Sequence, residues 1–159
     1  IMNNISLSAY LHADHILLLP EISSKKRVFE ILGELLTKNL DSLDATQVSE
    51  QLIARERLGT TALGEGVAIP HCRMENISEI QSAVIKLENP VDFDAPDGMD
   101  VSIIVALLVP NEATDDHLQL LGQLAEFLSK AKNREELRNC ESPQELHEIF
   151  AATSDKHAA

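Results

Sequence analysis

The sequence predicts a single layered α/β domain, with helices on both faces of a sheet. Helical patterns lie near both ends of the chain, and strand-like runs lie between them. The longest of these runs, residues 101–109, is apolar and rich in β-branched residues, which is typical of a central strand covered on both faces. At 159 residues the chain is long enough to bury a substantial core as one domain.

Four helices are predicted from capping residues that precede apolar residues at helical spacing. Ser24 is placed to cap the first helix, Asp44 the second and Thr114 a third, longer one. Ser142-Pro143 supplies a cap and a first-turn proline for the fourth. The residues expected to point inward are, in chain order, Val28, Ile31, Leu32, Leu35 and Leu36; Val48, Leu52 and Ile53; Leu118, Leu121, Leu124, Ala125 and Leu128; and Leu146, Ile149 and Phe150.

Strands are predicted in the remaining segments, at 15–19, 67–69, 83–87, 91–93 and 101–109. Asn89-Pro90 and Asp97-Gly98 are typical turn dipeptides and are expected to separate neighbouring strands. We expect the folded domain to span residues 3–152, and the small, polar tail 153–159 to be disordered.

The composition argues against several classes of function. A net charge of −13 repels nucleic acids and anionic membranes, and 3% aromatic residues without tryptophan offer few platforms for base stacking. No apolar run approaches the roughly 20 residues of a membrane span, so membrane insertion is not expected. Two cysteines are too few for a disulfide framework, and the start lacks the pattern of a signal peptide, so we expect a cytoplasmic protein.

Residues 55–72, which read RERLGTTALGEGVAIPHC, carry most of the functional information. Gly59, Gly64 and Gly66 allow backbone N–H groups to approach an anion closely, because no Cβ intervenes. Pro70 favours extended geometry at the preceding residue, so His71 is expected on a rigid support at the end of a strand. A rigidly held imidazole beside anion-binding backbone is suited to accept and release a phosphoryl group.

The run from Glu56 to Cys72 resembles the phosphorylation-site motif of the fructose/mannitol class of IIA domains, phosphocarriers of the bacterial phosphoenolpyruvate-dependent sugar phosphotransferase system. The similarity extends from about Leu7 to Phe150 and is greatest to the nitrogen-regulatory type, a free-standing domain that regulates. The resemblance implies a mixed five-stranded sheet with flanking helices and transfer without metal or nucleotide cofactor. It also implies an HPr-like protein as donor, and a sensor kinase or potassium-transport component as regulatory target.

His71 is the predicted nucleophile, because a neutral imidazole nitrogen attacks phosphorus and the product is a good phosphoryl donor. The resemblance implies a second site histidine after the central strand, and His117 occupies that position in the first turn of a predicted helix. Unpaired N–H groups and the positive end of the helix dipole favour an anion there. The resemblance also implies a site arginine, which Arg55 matches; its planar fork would bind two phosphoryl oxygens, and Arg57 is the alternative.

Four further residues are expected to bind phosphate. Thr60 and Thr61 would donate from their hydroxyl groups, and Gly64 and Gly66 from their backbone N–H groups. The two threonines fit equally well as turn residues that satisfy their own backbone. Glu65 departs from the motif, since asparagine is common at that position, and its carboxylate adds negative charge to the loop.

Other functions fit parts of the sequence. His71, Cys72 and His117, with Cys140 as a fourth, are residue types that bind zinc, but no CxxC or HxxxH spacing supports a metal site and none is expected. A non-catalytic module with an acidic binding surface would leave the glycine loop and Arg55 without a role. The sugar-transport type of IIA domain is the alternative to the regulatory type.

Overall fold

The computed structural model describes the backbone of residues 7–158 and the side chains of residues 7–151. Two 3-10 turns, Leu7–Tyr10 and Ala13–His15, lead into the first strand. The elements that follow are β1 (Ile16–Leu18), α1 (Lys25–Leu36), α2 (Ala45–Arg57), β2 (Ala62–Gly64), β3 (Val67–Ala68), β4 (His71–Met74), β5 (Gln81–Val91), β6 (Val101–Pro110), α3 (Asp115–Leu128), α4 (Ala131–Asn139) and α5 (Pro143–Ala158).

The strands form one mixed sheet in the order β1-β5-β6-β3-β2, with β4 also paired to β6. The β5–β6 and β2–β3 pairs are antiparallel, whereas β1 runs parallel to β5, and both β3 and β4 run parallel to β6. Strand β6 is therefore central and almost fully buried, as its apolar sequence predicts.

Strands β3 and β4 lie one after the other along the same side of β6. Val67 pairs with Ile103, and four residues later His71 pairs with Leu107. The ladder is interrupted at Pro70, which has no N–H to donate, although its carbonyl accepts from the Leu107 N–H at 2.9 Å. The six strands thus occupy the five positions of the predicted sheet, because one position holds two short segments.

The sheet separates two hydrophobic layers, which confirms helices on both faces. The front layer, named here for the face covered by α1 and α2, contains Ile104, Ala106 and Leu108 of β6. The back layer, covered by α3, α4 and α5, contains the alternating residues of the same strand, Ile103, Val105 and Leu107. This alternation decides which layer each side chain of the neighbouring strands faces.

All four predicted caps are observed as side-chain hydrogen bonds, including that of Ser142, which accepts from the Glu145 N–H at 3.0 Å. Ser24 accepts from the Arg27 N–H at 3.1 Å, Asp44 accepts from the Gln47 N–H at 3.0 Å, and Thr114 caps α3. Each of these bonds satisfies a donor that the first helical turn leaves unpaired. Helix α5 begins at Pro143, as predicted.

Three sequence predictions about this scaffold are wrong. The separate strand expected at 91–93 is absent, because Val91 is the last residue of β5 and residues 92 and 93 are not in a strand. Asn89-Pro90 is not a turn between strands but lies inside β5, which runs through Val91. The pairing of β5 with β6 is irregular between Lys86 and Val91, and such an irregularity tolerates a proline that cannot donate to the ladder. In α3, Leu118 is 47% exposed rather than inward.

The C-terminal region also differs from expectation. Helix α4, which was not predicted, buries only Leu137 along its length, so its sequence has no apolar periodicity to reveal it. Helix α5 is assigned from Pro143 to Ala158, and the disordered tail expected at 153–159 stays a prediction. The domain limits at residues 3 and 152 stay predictions, and residue 3 lies outside the described residues. Between residues 7 and 158, no helix has the length and apolar character needed to cross a membrane.

Candidate functional site

His71 is the first residue of β4, and its half-buried imidazole contacts the backbone of the preceding segment. The Nδ1 atom lies 2.8 Å from the carbonyl oxygen of Ile69, two residues earlier. Because a carbonyl oxygen only accepts, Nδ1 carries the proton in this bond, and in the neutral ring Nε2 then has a free lone pair. Nε2 is therefore the nitrogen available for nucleophilic attack.

The face of the sheet that His71 occupies follows from its register. His71 pairs with Leu107, a back-layer residue, so its side chain projects toward the layer covered by α3. Cys72 projects the other way and packs against the front layer. Helix α3 packs on the back layer through Leu120 and Leu124, so His71 and the helix that carries His117 share one face.

His117 forms half of a capping box at the start of α3. Its backbone N–H donates to the Thr114 hydroxyl at 3.4 Å, and its Nδ1 accepts from the Thr114 N–H at 3.3 Å. Since a backbone N–H only donates, Nδ1 of His117 is the unprotonated nitrogen and Nε2 carries the proton. His117 thus has the tautomer opposite to that of His71, so a donor ring and a nucleophilic ring lie on the same side of the sheet.

Arg55 lies in the last turn of α2, on the helix that covers the front layer. Its Nη1 donates to the Gly59 carbonyl at 2.8 Å, beyond the end of that helix. Within the described side chains, no hydrogen bond or ion pair joins Arg55 to His71 or His117. The part that Arg55 plays at the histidines, and the choice between Arg55 and Arg57, stay predictions.

Thr60 and Thr61 are occupied by a carboxylate within the protein. The Thr60 hydroxyl lies 2.8 Å from both Glu56 Oε2 and the Phe93 carbonyl, and the Thr61 hydroxyl donates to Glu56 Oε1 at 2.6 Å. Each hydroxyl has one proton to donate, so neither is free for a phosphoryl oxygen. The Thr60 hydroxyl also accepts from the Ala62 N–H at 3.1 Å, as expected of a turn residue that satisfies nearby backbone. The role of the two threonines as phosphate ligands stays a prediction.

Gly64 and Gly66 lie far from His71, and their role in phosphate binding stays a prediction. The Gly66 carbonyl accepts from Ser102 and His71 pairs with Leu107, so five residues of extended strand, about 16 Å, separate the two levels of β6. The Glu65 N–H, between the two glycines, donates to the Asp97 carboxylate at 2.8 Å. The loop does bind an anion, but that anion is a side chain of the protein.

The glycines are required by the turn between β2 and β3. Glu65 and Gly66, the two central residues, have φ of 58° and 82°, and Gly64 has φ of 93°. Two consecutive positive φ values match the twist of antiparallel strands in a two-residue hairpin, and glycine adopts them without steric cost. The loop therefore serves hairpin geometry.

Arg73 is a cation on the His71 face that the sequence analysis missed. It follows His71 by two residues on β4, so both side chains project to the same side of the sheet. Its Nη1 donates to the Asn111 carbonyl at 3.1 Å, in the loop that leads to α3. The period-two alternation of a strand after His71 was the signal that could have identified it.

Acidic side chains surround the start of α3. Glu112, Asp115 and Asp116 are exposed there. Burial raises the pKa of the Tyr10 hydroxyl, and the negative charges of Glu79 and Asp116 raise it further, so these carboxylates lie close to Tyr10. The rim of the His71 face is therefore negatively charged.

The arrangement does not support the alternative of a zinc site at His71 and Cys72. Adjacent residues of a strand point to opposite faces, so the imidazole and the thiol cannot share one ion. Burial raises the pKa of the Cys72 thiol to about 12, which disfavours the thiolate that a metal would bind. Among the described residues, no three histidine, cysteine or carboxylate side chains are grouped as metal ligands.

Comparison with known proteins identifies relatives along most of the chain. Residues 9–153 match the family described as "Phosphoenolpyruvate-dependent sugar phosphotransferase system, EIIA 2". The nitrogen regulatory protein of Pseudomonas aeruginosa is 46% identical over 126 residues, which cover 79% of this chain and 82% of that protein. The nitrogen regulatory protein of Escherichia coli K12 is 39% identical over 131 residues, covering 82% and 80%.

A solved structure is similar over nearly its whole length. The crystal structure of the nitrogen regulatory protein IIA-Ntr from Neisseria meningitidis matches with a TM-score of 0.85 at 45% sequence identity, covering 91% of this chain and 98% of that one. The expected resemblance to nitrogen-regulatory IIA proteins is thereby confirmed. The chain belongs to the EIIA 2 family of the phosphoenolpyruvate-dependent sugar phosphotransferase system.

Proposed function

We propose that the chain is a regulatory phosphotransferase component that carries a phosphoryl group on Nε2 of His71. The observation that carries this proposal is the 2.8 Å contact between His71 Nδ1 and the Ile69 carbonyl. That contact fixes the tautomer in which Nε2 has a free lone pair, on a half-buried ring that a donor protein can reach. Membership of the EIIA 2 family supports the same role.

In this proposal the transfer forms one bond and breaks one. The Nε2 lone pair of His71 attacks phosphorus while the P–N bond to a phosphohistidine of the donor breaks, and the electron pair of that bond returns to the donor ring. The His71 proton stays on Nδ1, where the Ile69 carbonyl stabilises the positive charge that the ring gains. Passing the phosphoryl group to an acceptor reverses these steps, and neither direction needs a metal or a nucleotide.

The charge of the transferred group would be stabilised by two residues on the His71 face and by Arg55 from the end of α2. The Nε2–H of His117 is the first, because its tautomer is fixed by the Thr114 N–H. Arg73, two residues beyond His71, supplies positive charge on that face. Arg55 would have to exchange its bond with the Gly59 carbonyl for phosphoryl oxygens, as the family resemblance implies.

The donor in this proposal is an HPr-like phosphocarrier protein. Charge complementarity supports a donor with a basic face, because Glu112, Asp115 and Asp116 form a negative rim at the start of α3. The regulatory target would be a sensor kinase or a potassium-transport component. A cytoplasmic location belongs to the same proposal, since Cys72 and Cys140 are unpaired, as is usual in a reducing compartment.

The first experiment is incubation with phosphoenolpyruvate, enzyme I and an HPr-like protein, followed by intact-mass measurement. The proposal expects wild-type protein to gain one phosphoryl group that is stable in alkali and lost in acid, and His71→Ala to gain none. His147→Ala is the matched control, because His147 lies on α5 and contacts the Ser8 carbonyl at 3.0 Å. An unchanged mass of the wild type, with a donor shown to phosphorylate another IIA domain, would favour a non-catalytic acidic module.

A second experiment separates regulation from sugar transport. Wild type, His71→Ala and His71→Asp are used as baits, because phosphorylation changes the local charge by nearly two units and aspartate imitates part of that change. Regulation predicts a sensor kinase or potassium-transport component whose capture differs between the baits. Transport predicts instead that the phosphorylated protein passes its phosphoryl group to a IIB domain.

A further inference from the structure

Glu56, in the last turn of α2, is a buried carboxylate that the mechanism above does not use. It is 9% exposed, and its oxygens accept from the Thr61 N–H at 3.1 Å and from the Thr61 hydroxyl at 2.6 Å. The Thr60 hydroxyl lies 2.8 Å from Oε2, and the Lys25 ammonium lies 3.0 Å from the same oxygen. Burial alone would raise the pKa of Glu56, but the bonds from Thr61, Thr60 and Lys25 outweigh it and lower that pKa.

One of these bonds replaces a bond that the sheet would otherwise make. The Ile69 N–H donates to the Thr61 carbonyl at 3.1 Å, which is half of an antiparallel hydrogen-bonded pair. In a regular pair the two residues exchange both bonds, so the Thr61 N–H would donate to the Ile69 carbonyl. Here the Thr61 N–H donates to Glu56 instead.

The Ile69 carbonyl is left for another donor, and that donor is Nδ1 of His71 at 2.8 Å. The two replacement bonds belong to one interrupted pair. Glu56 accepts from the Thr61 N–H, and His71 Nδ1 donates to the Ile69 carbonyl. Charge strengthens the first of them, since a carboxylate accepts an N–H more strongly than a neutral carbonyl does. The β2–β3 pairing thus ends at Thr61 and Ile69, and the Ile69 carbonyl remains as the acceptor for the imidazole of His71.

We infer that Glu56 is a positioning residue that sets the tautomer of His71, by keeping the Thr61 N–H away from the Ile69 carbonyl. This inference rests on the proposed function of His71 for its consequence, but its geometry can be tested without phosphoryl transfer. Without the diversion, the Thr61 N–H competes for the Ile69 carbonyl. The imidazole proton then moves toward Nε2, the atom that must attack.

Two substitutions of Glu56 separate the effect of its side-chain length from the effect of its negative charge. Glu56→Asp keeps the negative charge beside Lys25 but shortens the side chain by one methylene group, so its oxygens no longer reach the Thr61 N–H at 3.1 Å. Glu56→Gln removes the charge but leaves an oxygen where Glu56 Oε1 accepts both Thr61 donors. Val48→Ala, a cavity in the same helix with a fully buried side chain, controls for loss of stability.

The readout is the tautomer of His71, measured from the ring nitrogen shifts of 15N-labelled protein in the unphosphorylated state. Glu56→Asp is expected to lose the Nδ1–H form as the dominant species, and Glu56→Gln and Val48→Ala are expected to keep it. A merely structural role for Glu56 would not move this equilibrium in a folded variant. The single-turnover rate of phosphorylation, corrected for the folded fraction, should fall about tenfold in Glu56→Asp relative to Val48→Ala.

Each variant can overturn the inference by itself. If folded Glu56→Asp keeps the Nδ1–H tautomer, or if folded Glu56→Gln loses it, the hydrogen bond from the Thr61 N–H to residue 56 does not determine the tautomer of His71. Should Glu56→Asp not fold, Glu56→Gln still decides through the second of these outcomes. Failure of wild-type protein to accept a phosphoryl group overturns the proposed function instead. The tautomer measurement still tests the role of Glu56 in that case.

Discussion

The two ends of the glycine-rich motif look like one anion-binding loop in sequence, yet the fold gives them separate tasks. At the hairpin end, Glu65 and Gly66 form a two-residue turn with positive φ, and the Asp97 carboxylate accepts from the Glu65 N–H. At the histidine end, about 16 Å away along β6, the Ile69 carbonyl orients the ring of His71. Glycines suit both a phosphate-binding loop and a hairpin turn, because both need positive φ. The register of β3 and β4 on β6 shows that these glycines lie in a hairpin, away from His71.

The comparison implies that damage at the two ends has different consequences. Changes at the histidine end should alter phosphoryl transfer in a protein that stays folded. Changes at the hairpin end should alter stability and leave the transfer rate of the folded fraction unchanged. Four predictions, in order of decreasing effect, test this separation.

His117→Ala should slow phosphorylation of His71 by about 10²–10³-fold, because one aligned donor to the transferred group is lost. His117→Gln is the matched variant, since glutamine at the third helical position preserves the capping box with Thr114 and retains an N–H donor. Rapid-quench measurement of the phosphorylation rate compares them, and glutamine should recover part of the rate. A wild-type rate in folded His117→Ala would show that the two histidines do not act together.

Gly66→Ala should lower the free energy of unfolding by about 1–2 kcal/mol, because alanine is strained at a φ of 82°. The added Cβ would also lie 2.9 Å from Arg138 Nη2, which must move away. Gly122→Ala is the control: its Cβ meets nothing within 4 Å in helix α3, so it should stabilise the protein by about 0.5–1 kcal/mol. Urea denaturation measures both, and a slower phosphorylation of folded Gly66→Ala would refute the separation of the two ends.

Glu65→Asn should raise the free energy of unfolding by about 0.5 kcal/mol, because asparagine adopts the observed φ of 58° more readily than glutamate. The ion pair that it removes is weak, since Arg134 and Glu65 approach only to 3.9 Å and the Glu65 side chain is 64% exposed. Glu65→Ala serves as the comparison and should give no gain. The hairpin assignment would be in error if asparagine destabilised the protein.

The smallest effect concerns Asp97 in acid. The Glu65 and Met99 N–H groups lower the pKa of this carboxyl from its usual 3.8. A lowered pKa in the folded state means that the contribution is present above pH 3.8 and is lost as the pH falls through the folded value. Amide exchange at Glu65 should therefore accelerate in that acid range in the wild type, whereas Asp97→Asn should show no such step. A step retained in Asp97→Asn would assign it to another group.

The parts of the fold that the sequence predicts well are those specified locally. Ser24, Asp44 and Thr114 cap their helices as expected, because capping depends on a side chain and the N–H groups of the next turn. The central strand is equally clear, because burial on both faces leaves an apolar run. Strands β2 and β4 were not predicted, because runs of three and four residues are too short to identify a strand by themselves.

The candidate site was predictable as a set of residue types but not as a set of contacts. His71 is predicted from its proline-fixed position in the motif, and His117 from the family resemblance, which implies a second histidine after the central strand. The contacts of Thr60, Thr61 and the Glu65 N–H depend on carboxylates that the motif does not reveal, namely Glu56 and Asp97. Phosphate and an internal carboxylate satisfy the same donors, so residue type alone does not distinguish them.

Because His71 and Cys72 point to opposite faces of the sheet, the number of residues in the preceding segment decides which face the imidazole occupies. Between Gly66 and His71 the chain runs along β6, and every residue inserted or deleted there would exchange the two sides of the sheet. A single deletion would swing the imidazole into the packed interior beneath α1 and α2 and present a neighbouring side chain in its place. This segment should therefore accept conservative apolar substitutions but no insertion or deletion.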